Sequence, residues 1–277
     1  MYRVSKVLNN NGVIAIDMDE NQEYVILGKG VGFGKKVSQR FDKPQECTMY
    51  RLTQETERGS AKELVKGIEP EYLEIADAIL TEAQKVFGDS IDRGILFPLA
   101  DHISFAVARI RRNEQISNPL TEDIKVLFYS EFKVAETLKT ILKERLQIEI
   151  DDHEVGYVAL HIHSAIGDEK VSVAMQTARA VRECIDMIEK ATGEPIDVLS
   201  LSYNRLMNHM KYMVARASTG EKLNLDMNEY MLDQYPQAYE IAADICKNLE
   251  GCIGHKLDET EIGYLAMHIQ RVYKDAV

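Results

Sequence analysis

A chain of 277 residues with 45% apolar and 28% charged side chains has an ordinary globular balance, enough for one large domain or two to three smaller ones. No apolar run approaches the roughly 20 residues that span a bilayer, and MYRVSKVLNNNG has no signal-peptide core, so a cytoplasmic protein without membrane insertion is expected. The net charge of −12 disfavours a general nucleic-acid binder, yet residues 1–55 hold eight basic and seven acidic side chains, the remainder 25 and 38. Within the first segment, stretches 1–11 and 28–40 contain basic residues and no acid. They form a local basic face, the only part of the chain suited to a polyanion.

The first 55 residues read as short strands. VSKVL leads to Asn9-Asn10-Asn11-Gly12, where Asn11-Gly12 is expected to supply a type I′ hairpin turn. VIAIDM, EYVILG and, after a proline-containing loop, CTMYRL complete an antiparallel meander. So small a unit buries only about 60% of its unfolded surface, which favours dimerisation.

From about residue 60 the apolar period changes from two to 3.6. Glu69-Pro70 opens a helix whose stripe is Leu73, Ala76, Ile79, Leu80, Ala83 and Val86. Further helices are expected near 95–113, 132–147, 152–166, 172–191, 197–217, 236–250 and 258–274, with Pro98 kinking the first or marking its true start.

The helical part repeats. Glu154-Val-Gly-Tyr-Val-Ala-Leu-His161-Ile matches Glu261-Ile-Gly-Tyr-Leu-Ala-Met-His268-Ile at an offset of 107 residues, and His102 and His209 share that offset. Tyr129–Ala135 matches Tyr235–Ala242 with one residue inserted. The chain therefore divides into 1–57, 58–168 and 169–277, a small antiparallel β domain followed by two copies of an all-α bundle. Each copy carries two histidines 59 positions apart.

Any one of these histidines taken alone reads as packing; four in register are harder to dismiss. Metal binding is disfavoured: His161 and His163 are two apart on a helix and point to different sides, and Gln270 replaces His163 in the second copy. The cysteines at 47, 184, 246 and 252 have no zinc spacing and read as reduced, mostly packed thiols. A neutral imidazole is a competent phosphoryl acceptor, and a phosphoryl group adds about two negative charges, enough to open or close an interface.

Gly28-Lys29-Gly30-Val31-Gly32-Phe33-Gly34-Lys35-Lys36 looks like a nucleotide loop but fails as one. A phosphate-binding loop ending at Gly34 would need glycine where Lys29 stands and a hydroxyl where Lys36 stands. Neither HRD nor DFG occurs, and no helix follows. The chain is thus expected to be no NTPase or kinase.

With KVLNNN, GKGVGFGKK, the Asp101-His102-Ile103 triplet and the paired E-x-G-Y-x-A-x-H-I segments in this order, the whole chain resembles the BglG/SacY/LicT transcriptional antiterminators. The resemblance implies a dimeric co-antiterminator RNA-binding domain and two phosphotransferase-system (PTS) regulation domains. The partners it implies are a leader-mRNA hairpin, HPr and a sugar-specific enzyme II; it implies no cofactor and no metal. Binding of the hairpin would prevent terminator formation and switch on a sugar-utilisation operon. Phosphorylation would fall on His102 and His161 in the first regulation domain and on His209 and His268 in the second. The RNA contacts it implies are Lys6, Asn9, Asn11, Gly28, Lys29, Gly30, Phe33 and Gly34. Their chemistry agrees: lysines contact phosphates, asparagines read base edges, glycines admit a close backbone, and Phe33 stacks on a splayed base more readily than it fills a core. Asn208 stands where the first copy has Asp101, a hint that the two domains differ in donor or reactivity, and Pro98 also departs from the family pattern. The alternative is a DNA-binding activator carrying the same regulation domains, which would need a helix-turn-helix where strands are read.

Overall fold

The structure, a computed structural model, describes residues 1–52, 55–56, 59–167, 170–193, 195–197 and 200–275. The domain boundaries expected at 57/58 and 168/169 lie outside the described residues, as do 198 and 199 of the expected helix 197–217. The chain forms two compact units, Met1–Asn118 with Ser130–Val171, and Pro119–Tyr129 with Ser172–Val277.

The first unit opens on a five-stranded antiparallel sheet. Strands β1 (Tyr2–Asn9), β2 (Gly12–Asp17), β3 (Glu23–Leu27), β4 (Arg40–Phe41) and β5 (Thr48–Arg51) lie in the order β4-β1-β2-β3-β5. Alternation puts Val13, Ala15 and Ile26 on one face, closed over by Val31, Tyr2, Tyr24 and Phe41. Ile14, Val25 and Tyr50 align across β2, β3 and β5 on the other face, all buried. The edge strand β4 was not legible in the sequence; its two residues pair with Arg3 and Tyr2. A second small sheet pairs β6 (Glu55–Thr56) with β7 (Gly59–Ser60).

The hairpin between β1 and β2 forms, but not as expected. Its loop is Asn10-Asn11, with Asn9 opposite Gly12, and neither Asn11 nor Gly12 has a positive φ. A register shift between Val7 and Asn9 and a bond from the Asn11 amide to Asn9 Oδ1 (2.8 Å) close the turn in place of type I′ geometry.

Helices α1 (Ala61–Gly67), α2 (Pro70–Phe87), α3 (Leu96–Ile110), α5 (Tyr129–Ala135), α6 (Thr137–Leu146) and α7 (Asp152–Gly167) complete the first unit. The α2 stripe is buried from Leu73 to Ala83, whereas Val86 in its last turn is 59% exposed and does not belong to it. Pro98 marks the true start of α3: it lies in the first turn, where its missing N–H costs nothing. The single helix expected at 132–147 is two, parted around Glu136.

Helices α4 (Thr121–Leu127), α8 (Val171–Thr192), α9 (Leu201–Thr219), α10 (Asn228–Gln234), α11 (Pro236–Ile253) and α12 (Thr260–Asp275) build the second unit. The Ser200 hydroxyl caps α9 by accepting from Tyr203 N (3.0 Å), and left-handed Gly220 and Gly254 end α9 and α11. The short helices α4 and α10 are equivalent by the 107-residue offset, yet α10 packs on α11 and α12 while α4 packs on α9. Of the cysteines, Cys184 and Cys246 are buried and Cys47 and Cys252 half-buried; all four are free thiols.

Candidate RNA face and paired histidine sites

The β1–β2 hairpin and the glycine-rich loop form one surface. Gly28 N donates to Asn11 O and Gly32 N to Asn10 O, each at 2.9 Å, while Gly30 N donates to Asn11 Oδ1 at 3.0 Å. The loop itself is a series of turns: Val31 N to Gly28 O, Phe33 N to Gly30 O and Lys35 N to Gly32 O. Lys6, Lys29, Gly30, Phe33 and Gly34 are exposed, and Asn9, Asn11 and Gly28 are half-buried. Phe33 is 74% exposed, so it is not a core residue. The alternate glycines serve two purposes. A Cβ on Gly28 or Gly32 would come within 2.5 Å of Glu46 O or 2.0 Å of Asn9 O, so those two glycines let the protein's own strands close. Gly30 and Gly34 instead take positive φ values of 73° and 67° with open space beside them.

The histidines meet in pairs. On α3, His102 and Arg109 are seven residues apart and so share a face; on α7, Glu154, Tyr157 and His161 do the same. The rings of His102 and His161 stand 5.3 Å apart by centroid, with Tyr157 at 5.8 Å from His102. Arg109 Nη2 donates to Glu154 Oε1 (2.6 Å), and His102 Nε2 lies 3.5 Å from Glu154 Oε2. Burial pushes the Glu154 carboxyl up, but His102 and Arg109 outweigh it and hold the group below its ordinary value.

The second copy repeats this arrangement on α9 and α12. His209 and His268 stand 4.9 Å apart, Tyr264 stacks on His209 at 6.2 Å, and His209 Nε2 is 3.6 Å from Glu261 Oε2. Here the arginine is bidentate: Arg216 Nε and Nη2 donate to Glu261 Oε1 and Oε2 at 2.6 and 2.9 Å. Burial, then His268 and Arg216, push His209 down to about 3. Burial, then Arg271 and Arg205, push His268 down to about 4. Both rings are neutral at physiological pH, the state in which an imidazole has a lone pair to offer.

The structure thus unites all four expected histidines in two pairs. It adds Arg109, Glu154 and Tyr157, with Arg216, Glu261 and Tyr264. Each of those three pairs obeys the 107-residue offset, which is the signal that would have found them. The surroundings differ: Arg205 and Arg271 act on His268, where the first copy has Pro98 and Ser164. His163 meets Glu131 Oε1 through Nδ1 at 2.9 Å. Among the described residues no group of three or more His, Cys, Asp and Glu is placed to hold a metal ion, and no helix is long and apolar enough to cross a membrane.

The chain matches the PRD domain family at residues 77–165 and 182–272 and the CAT RNA binding domain family at 2–59. It is 30% identical over 274 residues to the GlcA/glcB genes antiterminator of Staphylococcus carnosus (strain TM300), covering 97% of this chain and 94% of that one. It is 28% identical over 278 residues to the transcription antiterminator LicT of Bacillus subtilis (strain 168), covering 99% and 100%. The crystal structure of GlcT CAT-PRDI aligns with a TM-score of 0.52 at 29% identity, over 60% of this chain and 98% of that one.

Proposed function

The chain belongs to the family of transcriptional antiterminators that join a CAT RNA-binding domain to paired PRD domains, and from that premise we propose that phosphotransfer to its paired histidines switches its RNA binding. It is a regulator of transcription that acts by binding RNA. The finer reading is that the basic face at the hairpin and glycine loop grips a leader-mRNA hairpin as a homodimer, keeps a terminator from forming and lets a sugar-utilisation operon be read. Lys6 and Lys29 take phosphates, Asn9 and Asn11 take base edges or sugar–phosphate oxygens, and Phe33 stacks on an unpaired base.

The observation that carries the switch is the recurrence of one constellation, two histidines with an arginine, a glutamate and a tyrosine, in both copies. HPr and a sugar-specific enzyme II are the donors in this reading. A ring nitrogen of the acceptor attacks the donor's phosphorus as the bond from phosphorus to the donor side chain breaks and its electron pair stays with that side chain. The acceptor's other nitrogen then gives up its proton, and the donor side chain is free to take one from solvent. His102 and His161 are only 8% and 6% exposed, so the helices must part before a donor reaches them. A group carrying about two negative charges cannot return to the same place beside Glu154. Arg109 and Arg216 are the cations able to leave a carboxylate for a phosphoryl group. In this reading phosphorylation of the first domain by the enzyme II, when sugar is absent, inhibits the protein, and the second domain answers to HPr.

The test is phosphotransfer in vitro from HPr and from individual enzyme II proteins, with the labelled residues mapped. Label on His102, His161, His209 or His268 is expected, and its absence from all four refutes the switch. Gel shifts with leader RNA hairpins and with duplex DNA separate this reading from a DNA-binding activator, for which a preference for duplex would speak.

A further inference from the structure

We propose that the side-chain amides of Asn9 and Asn11 form one acceptor-recognition subsite, and that Glu74 of α2 occupies it as a stand-in for RNA, lowering the affinity of this state for its hairpin. The inference rests on the assignment of Asn9 and Asn11 to the RNA face.

The geometry begins inside the hairpin. Asn9 Oδ1 accepts from Asn11 N at 2.8 Å, and Asn11 Oδ1 accepts from Gly30 N at 3.0 Å. Backbone N–H groups only donate, so both carboxamides are fixed with their oxygens inward and their NH₂ groups outward. What remains for a ligand is a pair of NH₂ groups, and each donates to the same carboxylate. Asn9 Nδ2 donates to Glu74 Oε1 at 2.6 Å and Asn11 Nδ2 to Glu74 Oε2 at 3.2 Å.

A carboxylate presents two acceptor oxygens carrying one negative charge, as the non-bridging oxygens of a phosphodiester do. The ligand class of the subsite is therefore a phosphodiester of the RNA backbone. Glu74 and a phosphodiester cannot bridge the two NH₂ groups at once, and the Glu74 charge also opposes approaching phosphates. The glutamate is well held: its side chain is 19% exposed, and Arg145 Nη1 of α6 lies 3.6 Å from Oε2. One turn on, Asp77 accepts from Arg93 Nη2 (2.8 Å) and from the Tyr50 hydroxyl of β5. The same face of α2 thus grips the sheet twice, once at the subsite and once beside it.

The experiment uses the full-length unphosphorylated protein and an RNA hairpin selected from a random-loop pool by the wild type. E74Q, which removes the charge and one acceptor, is expected to bind this RNA about tenfold more tightly, since the closed form no longer competes. E74D, which keeps the charge but shortens the reach, is expected to show part of that gain. N9A and N11A should each bind more weakly, with thermal midpoints recorded for every variant. If E74Q and E74D bind no better than wild type while N9A and N11A bind worse, Glu74 is structural and the proposal falls, though the RNA face stands. If N9A and N11A bind as wild type does, the asparagine assignment itself is wrong.

Discussion

Replacing Arg216 by methionine leaves Glu261, whose side chain is 2% exposed, without its bidentate partner inside the second unit. Two short charge-assisted bonds are lost at once. Breaking a buried pair from one side costs about 3–5 kcal/mol, because the remaining charge is stranded away from water. At about 3 °C per kcal/mol, the transition should fall by about 10 °C. The corresponding change in the first copy should cost less, about 2 kcal/mol, since Arg109 makes one bond to Glu154 and is 29% exposed. Scanning calorimetry on the full-length protein and both variants reads the difference, with R216M/E261Q as the internal control. That double variant removes the stranded charge and should recover most of the loss. A fall of under about 1 kcal/mol for R216M, or a double variant as damaged as the single, would overturn the argument that the ion pair is buried and mutually dependent.

Acid should weaken the second unit through its histidines. His209 and His268 are held at about 3 and about 4, below the ordinary 6.5: His209 by burial, His268 and Arg216, and His268 by burial, Arg271 and Arg205. The folded form therefore takes up fewer protons than the unfolded one between pH 6.5 and about 4. Stability is complete above pH 6.5 and falls as pH drops, by about 1.4 kcal/mol per unit for each ring. Denaturation against pH should show this slope, and H209Q and H268Q should each flatten it. Phe33→Ala should weaken RNA binding by about 5- to 150-fold, equivalent to 1–3 kcal/mol, without moving the thermal midpoint; a lowered midpoint would show Phe33 to be structural. Gly32→Ala should unravel the loop because a Cβ there would sit 2.0 Å from Asn9 O, visible as lost RNA binding together with lower stability.

The legible parts of this molecule were those written in repetition and period. Four histidines at one offset announced two equivalent sites, and the 3.6-residue stripe of α2 announced its buried side. Glu154 stands in the repeated motif and Arg109 shares its offset, but their pairing is not legible, because an ion pair across 45 residues has no local pattern. The Asn9–Glu74 contact spans 65 residues, and Glu74 reads in sequence as an ordinary polar position on an amphipathic helix. The short helices α4 and α10 were missed because a run of seven residues is too brief to establish a period. The turn at Asn10-Asn11 was mistyped because side-chain bonding by Asn9 replaced the backbone geometry that Asn-Gly usually imposes.

Two matching positions carry arginine in the second copy and not in the first, and that difference has a consequence for what the protein can signal. Identical acceptors would make it a counter, able to report only how many phosphoryl groups had arrived. With Arg205 and Arg271 acting on His268 and with Pro98 and Ser164 at the matching positions of the first copy, the two histidine pairs differ in their surroundings. On the proposed reading, four input combinations become distinguishable, and the duplicated domain works as a two-input gate: the same number of phosphates yields different outputs according to where they land.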